Sequence, residues 1–230
     1  MADTPNVVVL FPLKTERVQL ARALNDPELA GMEIRTGGLG AERITAAVDA
    51  IAREAVSPKR RPDLVVLLGC AGGLRPGLSG APPIGMVIDE SGREFIPTII
   101  PAHADEQVVA IVGVDTLVPD IAAKASLHAR SAADLVDMES HAFARTCTRH
   151  GLPWAVIRGI SDTADESLPE YMRSWIDPEG NYRLMRIFLS LISNPSRISE
   201  VQRVAQRFGA AMQATHPRLK LARSLVGSNP

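Results

Sequence analysis

Aromatic residues are scarce in this 230-residue chain: five Phe, two Trp and two Tyr, 4% in all. A pocket for a planar ligand has few rings to stack with. Cysteine is scarcer still. Cys70 and Cys147 cannot form a disulfide framework, and no Cys/His pairs stand at zinc spacing, so no metal site is expected. A basic excess is missing too. Lys plus Arg number 25 against 26 Asp plus Glu, a net charge of -1, which argues against a nucleic-acid-binding surface. No apolar run approaches the ~20 residues of a membrane span. Asp3 stands where a secretion signal needs positive charge, and residues 7–11 have strand character, so a soluble, cytoplasmic protein is expected. What remains is globular composition, 46% hydrophobic and 22% charged. The length suits a single domain, with a core over about residues 5–195 and a helical tail over about 196–230.

Short β-branched runs alternate with segments of helical spacing. Residues 7–11 (VVVLF) and 63–69 are apolar almost throughout, the mark of strands buried on both faces of a parallel sheet. Residues 13–24 and 42–55 read as helices, the second with Ile44, Val48 and Ile51 on one face. Residues 32–36 form a weaker strand ending in Gly37-Gly38-Leu39-Gly40, and residues 70–73 read as a glycine turn. A hairpin around Ser91-Gly92 joins strands at 86–88 and 95–100, followed by a strand at 108–114. Asp120 caps a helix to about 129, residues 137–150 form another, residues 154–160 are the last strand, and residues 184–214 are helical. The expected fold is α/β: one domain with a mixed, mostly parallel central sheet flanked by helices.

Ligands in such sheets bind beyond the carboxyl ends of strands. Three of these ends carry glycines here: residues 37–40, 69–73 and 158–162. Each suits plain turn chemistry or a close approach of backbone N–H groups to an anion or a planar ligand. A P-loop string is absent, and Gly38-x-Gly40 is followed by Arg43 where a dinucleotide fingerprint needs its third glycine. Charged residues are oddly placed as well. Arg158 interrupts an apolar strand, where it requires a carboxylate partner. Asp162 closes that strand, and Glu139 has apolar flanks that turn it toward a cleft.

Taken together, Val136-Asp-Met-Glu-Ser140 and Ile157-Arg-Gly-Ile-Ser-Asp162 resemble the signature of the nucleoside phosphorylase and nucleosidase superfamily. Gly69-Cys-Ala-Gly-Gly-Leu74 and Thr36-Gly-Gly-Leu-Gly40 are similar to its glycine turns. The resemblance implies a phosphorylase/hydrolase-like sandwich that cleaves the N-glycosidic bond of a purine nucleoside or 5′-modified adenosine. Carried over, Glu139 bonds the ribose hydroxyls and Met138 packs on the sugar. Asp162 is the acid at purine N7, supported by Ser161. Cys70 and Gly72 line the pocket, and Glu16 aligns with the glutamate that activates water. Leu117 stands where nucleosidases often have a stacking Phe, and the segment between residues 86 and 108 is short. Residues 161–169 and 177–180 also resemble the hopanoid-associated phosphorylases, which implies an adenosyl-linked lipid substrate.

The implied chemistry needs no cofactor. Protonated N7 makes the base a good leaving group, and an anion near the ribose stabilises its cationic transition state. Water activated by Glu16 gives hydrolysis. Phosphate as co-substrate, held by Arg43 and backbone N–H groups near Gly40, gives phosphorolysis. A non-catalytic nucleoside-binding protein is the alternative. The partner expected is a small-molecule nucleoside, and the family implies a homo-oligomer, a dimer above all. Tyr171, Met172 and Trp175 are of the types enriched at interfaces.

Overall fold

The computed structural model describes residues 5–21, 23–57, 60–167 and 197–227. Within them the strands are β1 (Val7–Phe11), β2 (Glu33–Thr36), β3 (Leu64–Gly73), β4 (Ile84–Ile88), β5 (Glu94–Phe95), β6 (Val109–Gly113), β7 (Leu135–Asp137) and β8 (Trp154–Asp162). The α-helices are α1 (Lys14–Leu20), α2 (Ala41–Glu54), α3 (Ile121–Ser131), α4 (Ser140–His150) and α5 (Arg197–Gly227). All eight strands form one sheet in the order β2-β1-β3-β7-β6-β4-β5, with β8 paired to β3. Pairing is parallel except for β3 with β7 and β4 with β5. The fold is therefore the α/β architecture expected, a mixed and mostly parallel sheet flanked by helices.

The unbroken apolar runs are explained by helices on both faces. Val8, Leu10, Val65, Leu67 and Val156 pack beneath Ile44, Val48 and Ile51 of α2 and Phe143 and Cys147 of α4. Their neighbours Val7, Val9, Leu64, Val66 and Ile157 pack against Leu20 of α1 and Met212 and Leu219 of α5. A strand with helices on either side has no solvent face and no place for alternation. Two devices seat α5. A Cβ on Gly159 would lie 2.0 Å from the carbonyl oxygen of Ala211, so only glycine lets the helix backbone meet β8. Arg218 donates to the carbonyls of Ala81 (2.9 Å) and Pro101 (3.0 Å) and pairs with the Glu106 carboxylate.

Several local expectations need correction. Residues 70–73 are strand, not turn: β8 pairs with β3 as far as Gly72, and Gly72 and Gly73 pair with Val136 and Leu135 of β7. Asp137 ends β7, paired beside Gly113, and the helix begins at Ser140. Asp137 caps that helix from outside, its Oδ1 accepting from the Ser140 N–H (3.0 Å) and hydroxyl (2.7 Å). The first helix stops at Leu20 and gives way to 3-10 turns at Ala23–Asn25 and Pro27–Leu29, with Asp26 held extended between the turns by Pro27. The second hairpin strand shrinks to Glu94–Phe95, since Pro97 and Pro101 lack the N–H a longer ladder requires. Asp120 does cap its helix, accepting from the Ala123 N–H at 2.7 Å. The C-terminal helix runs to Gly227, well past residue 214. Residues 184–196, and Tyr171, Met172 and Trp175, lie outside the described residues. No helix among those described is long and apolar enough to cross a membrane.

Candidate active site

Glu16 lies in the first turn of α1, just past the end of β1. Its Oε2 accepts from the Leu13 N–H at 2.9 Å and caps its own helix, while Oε1 accepts from the Cys70 N–H of β3, also at 2.9 Å. Glu139 stands between β7 and α4, and its Oε1 accepts from the N–H of Gly40, the residue that opens α2, at 3.0 Å. Arg158 comes off the middle of β8 and is fully buried. Its Nε donates to Asp137 Oδ2 at 2.8 Å, and its Nη2 lies 2.7 Å from the same oxygen and 3.3 Å from Glu139 Oε2. Between Arg158 and Glu16 runs Gly69. A Cβ there would sit 2.3 Å from Arg158 Nη1 and 2.4 Å from Glu16 Oε1, so a side chain at this position would force the two charges apart.

Three buried carboxylates thus surround one guanidinium. Burial pushes the Glu16 carboxyl up to about 7 against the pull of Arg158 and two backbone N–H donors, and nearby Asp137 adds to the rise. Glu139 is pushed up to about 7 in the same way, first by burial and then by Asp137 and Glu16. The Cys70 thiol is raised well above its ordinary value, chiefly by burial, and is a neutral wall of the site.

Asp162 belongs to a second cluster. Its Oδ2 lies 2.5 Å from the Nζ of Lys124, and its Oδ1 accepts from the Ser161 hydroxyl at 2.7 Å. Lys124 also donates to the carbonyls of Thr163 and Glu166, both at 2.8 Å. Gly72 gives this carboxylate room, because a Cβ there would lie 3.1 Å from Asp162 Oδ2.

One cavity of about 280 Å³ is lined by Glu16, Cys70, Gly72, Leu117, Met138, Glu139, Ser161 and Asp162. The residues singled out in the sequence as nucleoside-binding or catalytic are thereby brought together. Gly40 and Arg43 are not among its lining residues. The Gly40 N–H serves Glu139, and the Arg43 stem packs on Gly38, where a Cβ would fall 2.7 Å from Arg43 Cδ. Arg158 is not among the lining residues, but its partners Asp137 and Glu139 are. Gly159, read as an approach for a ligand, instead receives α5.

Two contributions escaped the sequence reading. One is Lys124, whose signal was its position three residues before Leu127 on the buried face of α3, an odd place for an ammonium. The other is Val204, Arg207 and Phe208 of α5, which close one side of the cavity. Arg207 pairs there with Glu166.

The sequence profile of the Phosphorylase superfamily matches residues 101–193, a stretch that contains both Glu139 and Asp162. The chain is 28% identical over 193 residues to a 5'-methylthioadenosine/S-adenosylhomocysteine nucleosidase of Exiguobacterium, covering 66% of this chain and 78% of that one. Among solved structures, the 5'-methylthioadenosine nucleosidase of Arabidopsis thaliana superposes with a TM-score of 0.66 at 13% identity, covering 99% of this chain and 98% of its own. The futalosine hydrolase of Helicobacter pylori gives 0.64 at 14% identity over 96% and 98%. The Neisseria meningitidis 5'-methylthioadenosine/S-adenosylhomocysteine nucleosidase, in complex with methylthio-immucillin-A, gives 0.65 at 18% over 95% and 99%. At such identities the structures speak for the fold alone. Over residues 101–193 the chain is similar to the Phosphorylase superfamily, and over a longer stretch it is similar to a methylthioadenosine/S-adenosylhomocysteine nucleosidase.

Proposed function

We propose that this enzyme hydrolyses the N-glycosidic bond of a 5′-substituted adenosine, releasing free base and free sugar. The observation that carries the reading is Glu16: a carboxylate poised at about 7, at the edge of the same cavity as Glu139 and Asp162. A base must be part deprotonated near working pH and still hold a proton well, and this value meets both demands.

Each residue then has a task. Glu139 accepts hydrogen bonds from the ribose hydroxyls, and its charge stabilises the oxocarbenium-like sugar. Met138 packs on the ribose. Asp162 shares a proton with purine N7, so that when the C1′–N9 bond breaks and its electrons pass to N9, the base departs neutral. Ser161 orients Asp162. Water attacks C1′ and gives its proton to Glu16, which completes the balance: nucleoside plus water gives purine plus ribosyl sugar. Pro12, Leu13, Val118, Val204 and Phe208 make much of the remaining wall apolar, beside the Arg207–Glu166 pair. Such a wall suits an uncharged 5′ substituent, such as the thioether of 5′-methylthioadenosine.

Hydrolysis is favoured over phosphorolysis by what surrounds Gly40. The N–H expected to hold phosphate already donates to Glu139, and a phosphate beside Glu16 would meet like charge. At 4 Å that repulsion is about 4 kcal/mol at an effective dielectric of 20. The test is product identity after incubation with 5′-methylthioadenosine in phosphate buffer. Free adenine with free 5-methylthioribose is expected. The sugar 1-phosphate as sole product overturns hydrolysis, and binding without release of base reduces the protein to a nucleoside-binding one.

A further inference from the structure

We infer that Lys124 sets the choice of base, by fixing Asp162 as a hydrogen-bond acceptor and so committing the site to purines with a 6-amino group; the inference rests on the reading of Asp162 as the residue at purine N7. Lys124 is fully buried in α3 and is not among the residues lining the cavity. It stands behind Asp162. Its Nζ has three acceptors within reach, Asp162 Oδ2, Thr163 O and Glu166 O. A neutral amine has only two N–H bonds, so three donated bonds require the ammonium form. A buried ammonium in turn requires an anion. The carboxylate of Glu166 does not serve, since it accepts from the Thr163 N–H at 3.1 Å and pairs with Arg207. Asp162 is therefore the counter-ion, held as a carboxylate. The Ser161 hydroxyl lies 2.7 Å from its other oxygen, with the Ala71 carbonyl as a second acceptor at 3.3 Å, so it is the ammonium of Lys124 that fixes the carboxylate as an acceptor toward the cavity.

That polarity discriminates between purines. Position 6 lies beside N7 on the same edge of the ring. A 6-amino group donates to the carboxylate, and the proton shared with N7 is taken up from solvent on binding. A 6-oxo group sets a second acceptor next to N7, both facing an anion. A site built to receive a donor rejects the analogue that lacks it by far more than a poorly filled apolar pocket does. Lys124 touches no substrate in this account. It is a positioning residue, and its effect is read in a ratio of substrates.

The experiment compares kcat/KM for 5′-methylthioadenosine and 5′-methylthioinosine, which differ only at position 6, in the wild type, Lys124→Arg and Lys124→Met. The wild type is expected to favour the 6-amino substrate by about 100-fold or more. Lys124→Arg keeps the preference. Lys124→Met frees the carboxyl to carry its own proton and donate, so the ratio contracts by about tenfold or more while both rates fall. Equal loss on both substrates in Lys124→Met overturns the inference, because support of the fold alone does not distinguish them. Should that variant fail to fold, equilibrium binding of adenine against hypoxanthine to the wild type and to Lys124→Gln decides: an adenine preference unchanged in Lys124→Gln overturns the inference, a contracted one upholds it. Release of base from neither substrate overturns the proposed reaction instead, and the comparison of base binding between the wild type and Lys124→Gln still decides the role of Lys124.

Discussion

Two buried clusters of charge border the same cavity, and they differ in stoichiometry. Around Arg158 three carboxylates share one guanidinium; around Lys124 a single carboxylate meets a single ammonium. In the first cluster negative charge is in surplus, and burial makes the surplus costly, so Glu16 and Glu139 hold protons up to about 7. In the second the charges balance, and the carboxylate is fixed. One fold thus sets carboxylates of nearly equal depth, Glu16 at 3% and Asp162 at 4% exposed, among different numbers of counter-ions. On the reading proposed above, the two clusters serve the two ends of a glycosidic cleavage, with water to be activated on one side and a basic ring nitrogen to be met on the other.

The comparison is broken most severely at its balanced end. Asp162→Asn leaves an amide that cannot hold the proton shared with N7, and kcat should fall by about 10²–10⁴-fold, roughly 3–5 kcal/mol of barrier. Steady-state release of adenine measures it, with circular dichroism to show that the fold persists. A near-wild-type rate would remove Asp162 from the proton path. At the other end, Glu16→Gln should cost about 10²–10³-fold and change the pH profile. In the wild type, kcat/KM should fall as pH drops through about 7, as Glu16 takes up a proton and ceases to be a base. The variant should lack that acidic limb. An unchanged limb would assign it to another group, Glu139 first.

Glu139→Gln sharpens the distinction between the two glutamates of the surplus cluster. A hydrogen bond to a charged group contributes about 1.5–3 kcal/mol, so a loss of about 10–100-fold is expected on ribosides. On 2′-deoxyribosides, which lack one of its partners, the loss should be several-fold smaller. Equal losses would show that Glu139 does not touch the 2′ hydroxyl.

How much of this was legible in the sequence depends on how far apart in the chain the cause and the effect lie. The central strands were readable because burial on both faces leaves a run of six apolar residues such as Leu64–Gly69, a purely local mark. The cap at Asp120 was readable for the same reason. Gly72 and Gly73 were misread because local chemistry says turn, while the partners that keep them extended, β7 and β8, arrive much later in the chain. Glu139 and Asp162 stood out as acids with apolar neighbours, and their motif supplied the rest. Lys124 did not stand out: its reason for burial is Asp162, 38 residues away. Gly159 looked like a ligand contact until α5 supplied Ala211. Apolar pattern carries the framework; the pairing of buried charges is non-local and emerges only from the folded chain.

A last predicted effect isolates the surplus of carboxylate through stability alone, with no substrate present. The ordinary value for Glu16 is 4.5, and in the folded protein it is raised to about 7. Between these two values the folded state binds more protons than the unfolded state, so stability falls as pH rises through the window and the loss is complete above about 7. Glu16→Gln cannot titrate. Whatever the amide costs by replacing the carboxylate at the Leu13 and Cys70 N–H groups is the same at every pH, and titrations elsewhere cancel between the two proteins. The difference in unfolding free energy, variant minus wild type, should therefore shift in favour of the variant by about 2–3 kcal/mol between pH 5 and pH 8. The raised value of Glu139 owes part of its rise to Glu16, so removing Glu16 adds to the shift with the same sign. Urea unfolding at the two pH values measures it. A difference that does not change with pH would mean that Glu16 is ionised throughout, and with it would go the contrast between a cluster in surplus and a cluster in balance.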